Sequence, residues 1–540
     1  MLRSLITCLL FVPILAVAGG AIPTPPTPGA VQDTLPQRQT PTISTPPQVI
    51  FYDDPVELEV QPEAKRFLVS GFAYVGNTAV DDAVLQRITE RFLDLQLTLA
   101  ELDQAAASIT AYYRSRGYTV ARAFIPAQRI EDGLVTIQII EGRLEAVTFK
   151  GQNWYREKFL QSYIDSFTVG EDGELVTDAS LERRMLLLND LPGLRARATL
   201  VPGEKFGTTS IDIEVTEKLF GAYLGYSNSG TEETGEHRVD LGAEINNPLT
   251  LGDQLSLRSI ESTDNLFRYH RVGYSIPIGY DGFKLAVSAL ETNYKLGGDF
   301  KILDISGEVK SHDVTLSYPF TRTRSKNLIG ALQYRKTTTK QFVFDLPFSE
   351  SSLPVTTASL YYNKIDDDSS ATAFNIAYTT NFWYGGADSR QEKVSSKLDT
   401  DLTYLTGATR NWDFFFRSQG VYSSAALPDT EKFSLGGAES VRGYPSAQVR
   451  GDKGYLVTME MRRQWRVAAI PGYFSAFVDI GGANNKGFSG YDRLSSAGVG
   501  LVFFAGNYGR FKLEYAKPLS DEDARDDKSD RVWFNMSLSY

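Results

Sequence analysis

The sequence predicts a mainly β membrane protein, in which two small N-terminal α/β domains of order β-α-α-β-β precede a 16-stranded antiparallel transmembrane β-barrel. Segments of about ten residues with alternating apolar side chains fill the last three-fifths of the chain, as in barrel proteins. A β-α-α-β-β pattern occurs twice before them. Beyond the N-terminal leader, no stretch is apolar for long enough to span a bilayer as a helix, so a membrane-embedded form requires a barrel.

Composition narrows the possible functions. The chain has 540 residues and a net charge of −11, which argues against nucleic acid as a partner. Its only cysteine, Cys8, lies in a segment that we expect to be removed. Three histidines, His237, His270 and His312, leave little for metal or acid–base chemistry. No phosphate-binding glycine-rich loop is present. We therefore expect no enzyme activity, cofactor, metal site or nucleotide partner.

Residues 1–18 have the features of a secretory signal peptide. Arg3 supplies the positive charge, residues 5–18 supply the apolar run, and Ala16 and Ala18 form a small-x-small cleavage site. The alternative is a membrane anchor helix, but a run of about fourteen residues is short for a bilayer that needs roughly 20. Residues 19–64 are rich in Pro, Thr and Gln and predict a flexible linker. A ligand role for these prolines is the alternative.

Residues 65–142 and 143–218 predict two tandem domains of the same order. The first has strands at 67–75, 120–125 and 134–140 and helices at 78–92 and 99–116. The second has strands at 144–149, 195–201 and 210–215 and helices at 154–163 and 178–188. In the helix at 99–116 the apolar residues repeat at helical spacing: Leu102, Ala105, Ala106, Ile109 and Tyr113. The two units resemble POTRA domains.

Residues 219–540 predict the barrel. At about 20 residues per strand and connection, this length holds roughly 16 strands, an even number as bacterial barrels require. The alternation is seen in Val272, Tyr274, Ile276 and Ile278, in Val314, Leu316, Tyr318 and Phe320, and in Phe511, Leu513 and Tyr515. At the end of the chain, apolar residues share one face and finish on an aromatic ring: Val532, Phe534, Met536, Leu538 and Tyr540. This resembles the terminal signal by which outer-membrane barrels reach the assembly machinery.

The most specific motif lies in a long loop around residues 433–455. It contains FSLGGAESVRGY, with Val441, Arg442, Gly443 and Tyr444 as its core, followed by GDKGY at 451–455. A second motif follows at residues 477–481, FVDIG. The pair is similar to the V-R-G-Y loop and F-x-D-x-G strand of the outer-membrane translocator superfamily.

Two further features resemble one branch of that superfamily. NPLTLGDQL at residues 247–255 is similar to the start of the barrel in two-partner secretion transporters, and two POTRA-like units fit the same branch. This is the TpsB family of haemolysin and filamentous haemagglutinin secretion-activation proteins, and the resemblance covers about residues 65–540.

Strand parity places Phe477, Asp479 and Gly481 on the inner face of the barrel. The long loop of the family folds into the barrel, which implies that Arg442 meets Asp479 in a two-pronged hydrogen bond that lysine cannot reproduce. We expect Tyr444 to pack beside Phe477. Whether the pair is a gate, a structural brace or an assembly aid stays open, and the alternative is two ordinary solvated charges.

The resemblance implies a translocator in the outer membrane of a Gram-negative-type bacterium or cyanobacterium, with its POTRA domains in the periplasm. These domains would bind an unfolded exoprotein by strand addition, and the barrel would export it. The alternative is that the domains are only spacers between the periplasm and the pore. The expected partners are a large adhesin, haemolysin or contact-toxin component, outer-membrane lipid, and the barrel-assembly machinery.

Three alternatives to this function are a barrel-assembly insertase, a diffusion porin and an outer-membrane hydrolase.

Some family members carry an N-terminal plug helix. Because the N-terminal segment here is Pro-rich, we expect the loop alone to close the pore, and we regard the tripeptide Arg450-Gly451-Asp452 as incidental.

Overall fold

The computed structural model describes residues 25–35, 49–51, 66–164, 177–381 and 396–540, apart from residues 119, 206–207, 369, 410, 468–469 and 507. These residues form two small α/β domains and one closed barrel. The predicted signal peptide, with Cys8, and most of the predicted linker lie outside the described residues. Within the described part, none of the helices is both long and apolar enough to cross a bilayer.

Two short elements precede the domains: helix α1 (Pro28–Gln32) and strand β1 (Val49–Phe51). The prediction of an extended, mobile linker is wrong for residues 25–35, because α1 is folded and packed inside the barrel. Thr27 starts this helix by accepting a hydrogen bond from Ala30, and Pro28 is its first residue. The stabilising contacts come from the distant barrel wall, so composition alone does not show them.

The first domain keeps the predicted order, except that one strand is divided in two and a short strand that was not predicted lies between the helices. Its elements are β2 (Phe67–Val69), β3 (Gly71–Val75), α2 (Asp82–Thr89), β4 (Leu95–Leu97), α3 (Leu99–Ser115), β5 (Arg122–Phe124) and β6 (Leu134–Ile140). The predicted strand at 67–75 breaks at Ser70, whose backbone and hydroxyl bind the 132–133 turn. As a result β2 pairs with β4, while β3 joins the sheet β3-β6-β5. The predicted apolar face of α3 is confirmed, since all five of its residues are buried.

One buried carboxylate joins the end of the first domain's sheet to the start of α2. Glu141 is 4% exposed and accepts hydrogen bonds from the backbone of Thr78 (2.7 Å) and Ala79 (2.8 Å) and from the hydroxyl of Tyr113 (2.7 Å). Burial opposes ionisation, but these donors outweigh it, so the pKa of Glu141 is lowered. Burial, together with this contact, raises the pKa of Tyr113.

The second domain contains β7 (Arg143–Lys150), α4 (Glu157–Ile164), α5 (Asp178–Asn189), β8 (Leu194–Pro202) and β9 (Thr208–Glu217). Its sheet has the order β1-β8-β9-β7, so the distant strand β1 adds in parallel to the edge of β8. The helices pack on one face of this sheet around a buried apolar core.

Sixteen antiparallel strands close into a barrel, as predicted. They are β10 (Phe220–Ser227), β11 (Arg238–Asn246), β12 (Gln254–Ser262), β13 (Phe267–Ile278), β14 (Phe283–Lys295), β15 (Ile305–Arg322), β16 (Lys326–Val343), β17 (Leu346–Ile365), β18 (Ala371–Thr380), β19 (Lys397–Thr409), β20 (Trp412–Ser423), β23 (Lys453–Val467), β24 (Ile470–Asn484), β25 (Asp492–Ala505), β26 (Gly509–Pro518) and β27 (Arg531–Ser539). Strands β21 (Phe433–Leu435) and β22 (Val449–Gly451) lie in the loop between β20 and β23. Closure between β10 and β27 leaves no open sheet edge.

The second domain packs against the turns at one end of the barrel. Arg322 makes a two-pronged contact with Asp190, at 2.8 and 2.6 Å. The ring of Tyr280, in the β13–β14 turn, packs edge-on against Phe159 and Tyr163 of α4. These contacts identify the domain-bearing end of the barrel, and the loop that contains β21 and β22 starts from the opposite end.

Glu141→Gln should destabilise the first domain at neutral pH, because an amide nitrogen would then face the backbone donors of residues 78 and 79. The expected loss is about 1–3 kcal/mol. Because folding lowers the pKa of Glu141, its carboxylate stabilises the fold fully when the pH is above 4.5, its ordinary pKa. This stabilisation is lost as the pH falls through the lower pKa of the folded state.

Hydrogen–deuterium exchange of residues 66–142 in the whole protein should therefore be faster in the variant at neutral pH than in the wild type. The difference should shrink in acid. The exposed Glu131→Gln is the matched control. Equal exchange of the wild type and Glu141→Gln at neutral pH would contradict the assignment.

Candidate functional site

The connection between β20 and β23, residues 424–452, folds back into the barrel, and we call it the long loop. Its two short strands, β21 and β22, form an antiparallel hairpin that packs against β24 on the barrel wall. The loop places Arg442 on the inner face of the same strand, beside Asp479. The loop therefore occupies space inside the barrel, close to its wall.

Arg442 and Asp479 are in direct contact. The guanidinium donates to both carboxylate oxygens, from Nε at 2.9 Å and from Nη2 at 2.8 Å, and the backbone nitrogen of Arg442 adds a third bond at 3.1 Å. Asp479 also accepts bonds from the hydroxyls of Thr458 (3.0 Å) and Ser496 (3.1 Å). Arg442 is 5% exposed and Asp479 is 0% exposed, so the two groups are not ordinary solvated lumen charges.

Two carboxylates that the motifs did not indicate complete the charge balance around Arg442. Its Nη1 lies 2.7 Å from Glu514 and 3.7 Å from Glu460. Lys512 contacts Glu514 at 2.8 Å, and Arg462 contacts Glu460 at 3.1 Å. Lys512 also lies 3.6 Å from Glu439 of the long loop, so three cations face four carboxylates, including Asp479.

Removing one member of such a buried network leaves an uncompensated charge, which typically costs about 3–5 kcal/mol. The missed residues lie on neighbouring strands, β23 and β26, and only the barrel register brings them beside β24.

The aromatic residues of the two motifs have different partners from those expected. The ring of Phe477 lies beneath the guanidinium of Arg442, whose central carbon is 3.2 Å from the ring centroid. Tyr444 packs with Val441 in a buried apolar cluster, and its hydroxyl contacts Ser520 Oγ at 2.6 Å. The structure therefore places Arg442, and not Tyr444, against Phe477 as a cation–π contact.

Two motif glycines provide space between the loop and the wall. A Cβ on Gly443 would lie 2.8 Å from Pro518 N and 2.8 Å from Ser496 Cβ. A Cβ on Gly481 would lie 2.7 Å from a methyl group of Leu435, which the long loop inserts against β24. Each glycine thus allows a close approach that any other side chain would obstruct.

Residues 25–35, which include α1, form a second element inside the barrel, and we call them the N-terminal insert. Arg450, from the long loop, holds it through Asp33 Oδ2 at 2.8 Å and also pairs with Asp429, which accepts a bond from Gly29 N at 2.6 Å. Further along the insert, Arg238 of β11 donates to the carbonyl of Thr34 at 3.0 Å.

The tripeptide that we regarded as incidental is therefore built into this arrangement. Arg450 binds the insert, Gly451 packs against the backbone of Asn484, and the buried Asp452 accepts bonds from Leu427 N and Lys486 N. The expectation that the loop alone closes the pore is also wrong, because the insert occupies the barrel as well. Five helical residues carry too little periodicity to mark the insert, and its one sequence signal is the helix start at Thr27 and Pro28.

The C-terminal residues lie on the strand that closes the barrel. Met536 pairs with Tyr226 and Leu538 with Leu224 of β10, and the backbone of Tyr540 bonds to Ala222. Val532, Leu538 and Tyr540 are exposed on the outer face, while Phe534 packs near the ring of Tyr226. Their role in assembly stays a prediction.

Within the residues that the structure describes, no group of three or more His, Cys, Asp or Glu side chains is arranged to hold a metal ion. The charged groups at the site form closed pairs between the loop and the wall. This arrangement holds the long loop against the barrel wall.

Comparison with known families and proteins gives a consistent result. The profile of the family described as "Haemolysin secretion/activation protein ShlB/FhaC/HecB" matches residues 207–503, and that of the ShlB-type POTRA domain matches residues 67–142. The heme/hemopexin transporter protein HuxB of Haemophilus influenzae (strain 86-028NP) is 27% identical over 84% of each chain. The outer membrane transporter CdiB of Dickeya dadantii (strain 3937) is 25% identical over 73% of this chain and 72% of its own.

A solved structure of CdiB from Escherichia coli superposes with a TM-score of 0.70 at 20% identity, covering 94% of this chain and 95% of that one. At this identity the likeness shows a shared fold, with both the N-terminal domains and the barrel included.

Gly443→Ala should displace the long loop from the wall, because the added methyl group meets backbone and side-chain atoms at 2.8 Å. Overpacking of this kind typically costs about 1–3 kcal/mol. Trypsin should then cleave after Arg442 or Arg450 several-fold faster than in the wild type. Gly407→Ala is the matched control, since a Cβ there has no neighbour within 4 Å. Equal cleavage rates for Gly443→Ala and the wild type would exclude this packing.

Proposed function

The chain belongs to the haemolysin secretion/activation protein ShlB/FhaC/HecB family of outer-membrane two-partner secretion transporters, and we propose that it exports an exoprotein past a loop and an insert that close its pore. Its barrel lies in the outer membrane and its N-terminal domains lie in the periplasm. The strand direction fits, since β10 leaves the second domain and the long loop begins at the opposite, cell-surface end.

The observation that carries the proposal is that the long loop and the N-terminal insert both occupy the lumen. The long loop is held by Arg442 on Asp479 and Glu514, and the insert is held by Arg450 and Arg238. All of these are polar contacts. They join the long loop to the barrel wall, the insert to the wall, or the loop to the insert, and none of them belongs to the barrel sheet. Such contacts can exchange for equivalent contacts with a passing chain while the barrel hydrogen bonds stay intact.

Capture in the periplasm would use strand addition. The sheet of the second domain already accepts one added strand, since β1 pairs in parallel with β8 over residues 49–51 and 198–200. An unfolded client chain can add to a sheet edge in the same way, because the backbone supplies the hydrogen bonds whatever the side chains are. This supports a receptor role for the N-terminal domains.

The client would be a large secreted exoprotein of adhesin, haemolysin or contact-toxin type. The similar proteins include transporters named for heme/hemopexin and for hemolysin, as well as CdiB. Outer-membrane lipid would surround the outward side chains, and the barrel-assembly machinery would recognise β27. Folding of the client outside the cell would supply the driving force, because the sequence carries no nucleotide-binding loop.

A diffusion porin and a barrel insertase are the competing functions. A porin needs an open water-filled lumen, whereas two elements occupy this one. Deletion of the gene separates the remaining possibilities. Loss of one exoprotein from the medium, with its accumulation in the periplasm, supports the transporter. Loss of many barrels supports the insertase, and reduced uptake of small solutes supports the porin.

Arg442→Lys should reduce secretion of that exoprotein by about tenfold or more, because lysine keeps the charge but cannot bridge Asp479 and Glu514. Barrel abundance, measured by heat-modifiable migration in gels, should change by less than about twofold, since the β10–β27 seam is untouched. Arg463→Lys, an exposed residue on the neighbouring strand β23, is the control.

Asp479→Asn should behave like Arg442→Lys. Normal secretion from both variants would remove the pair from transport, and loss of the barrel itself would assign the pair to assembly.

Arg450→Ala should release the N-terminal insert, because Asp33 and Asp429 lose their shared cation. In planar lipid bilayers this variant should spend a several-fold larger fraction of time in an open, conducting state than the wild type. Arg493→Ala, which alters an exposed arginine on β25, should conduct like the wild type. Unchanged conductance of Arg450→Ala would show that the insert does not close the pore.

A further inference from the structure

An apolar patch lies on the inner wall of the barrel, at the cell-surface end of β12–β15. Its inward residues are Ile260, Phe267, Tyr269, Tyr294 and Ile305, with Leu290 packed beside them. Inner walls of export and diffusion barrels are polar because they face water, and the neighbouring inward positions of this barrel carry charged and hydroxyl side chains such as Arg258, Arg271 and Ser288. The patch is therefore an exception that requires a cover.

The N-terminal insert is part of that cover. Val31 is 1% exposed and packs within the patch, and Leu35 packs against it. The remaining cover comes from Leu296 and Phe300 in the β14–β15 connection. When the insert leaves, the area under Val31 and Leu35 faces water, which is unfavourable for apolar surface.

A polar group beside the patch recognises the backbone of the insert. Arg238 is 2% exposed, and its guanidinium lies 4.0 Å from the ring centroid of Phe267. Its Nη1 donates to the carbonyl of Thr34, so the contact uses a main-chain group that every residue has. Among the described residues, neither Arg238 Nε nor the buried hydroxyl of Tyr294 has a hydrogen-bond partner. These two buried polar groups therefore remain unsatisfied while the insert is in place.

We propose that this patch and Arg238 form a binding site for the exported polypeptide, which the N-terminal insert occupies in the resting state. The inference rests on the proposed function. The occupant is an extended stretch of chain with apolar side chains at alternate positions, which places a carbonyl on Arg238 and a side chain such as valine or leucine on Ile260 and Leu290.

Because a main-chain carbonyl and general apolar contact provide the recognition, the site accepts many successive segments of one client. Its place at the cell-surface end of the strands puts it at the exit of the pore. It would hold an emerging segment there and disfavour its return. The site also gives the client a direct way to compete with the insert, since both would use the same surface.

The test uses two synthetic dodecapeptides, one alternating threonine and valine and the other alternating threonine and serine. Each is added to the full chain carrying Arg450→Ala in a planar lipid bilayer, and the duration of each current block is recorded during open periods. The threonine–valine peptide should block about tenfold longer than the threonine–serine peptide, since one buried valine side chain contributes at least this factor.

Ile260→Thr and Leu290→Thr, each added separately, should shorten the threonine–valine block toward the threonine–serine value. Leu405→Thr is the matched control, because Leu405 faces the lumen near the domain-bearing end of β19, opposite Phe415. It should leave both block times unchanged. Arg238→Gln should shorten the block by both peptides by the same factor, because its contact is with the backbone.

Equal block times for the two peptides, or a difference that survives both Ile260→Thr and Leu290→Thr, would overturn the site. The conductance of each variant without peptide shows whether it forms an intact pore. Because two patch residues are substituted separately, the test can still be decided when one variant does not enter the bilayer. Failure of this site is distinguishable from failure of the proposed function, which would appear after deletion of the gene as loss of many barrels, or as normal secretion with reduced uptake of small solutes.

Discussion

The buried contact of Arg442 with Asp479 and Glu514 determines how the rest of this barrel can work. An arginine sealed against two carboxylates, with an aromatic ring beneath it, fixes the tip of a 29-residue connection (residues 424–452) on the inner wall. The loop has no other way to satisfy that charge, because the site is almost fully buried. Breaking the contact without a replacement leaves buried charges uncompensated, which is costly.

The same loop also positions the N-terminal insert, through Arg450 on Asp33 and Asp429. Two elements inside the barrel are therefore linked by nine residues of one loop, from Arg442 to Arg450. A displacement that frees Arg442 moves the support of the insert, and loss of the insert removes a partner of the loop. The contacts of the loop and of the insert are therefore coupled through one segment of the chain.

The insert also resembles a bound peptide in its chemistry. It presents a backbone carbonyl to Arg238 and apolar side chains to a wall that would otherwise face water. An exporter must bind its client weakly and without sequence preference, because every part of the client has to pass. Main-chain recognition beside a general apolar surface meets both requirements, and residues 25–35 show that the lumen can provide it.

Local patterns in the sequence determined the architecture. Alternation in β13, β15 and β26 indicates strands with one apolar face, and the length available indicates sixteen of them, because side-chain direction in a strand has a period of two. Helical spacing from Leu102 to Tyr113 predicted α3 for the same kind of reason. Strand parity placed Asp479 inward, and the resemblance of the two motifs to the translocator superfamily implied that Arg442 meets it.

Only the tertiary structure decided which residues from distant parts of the chain contact Arg442 and helix α1. Glu514 and Glu460 reach Arg442 through the register of neighbouring strands, and Phe477 pairs with Arg442 where Tyr444 was expected. Helix α1 forms because a barrel wall more than two hundred residues away buries Val31. A short proline-rich segment has no periodicity that reveals such a contact, so its place in the lumen depends on surfaces that exist only after the barrel closes.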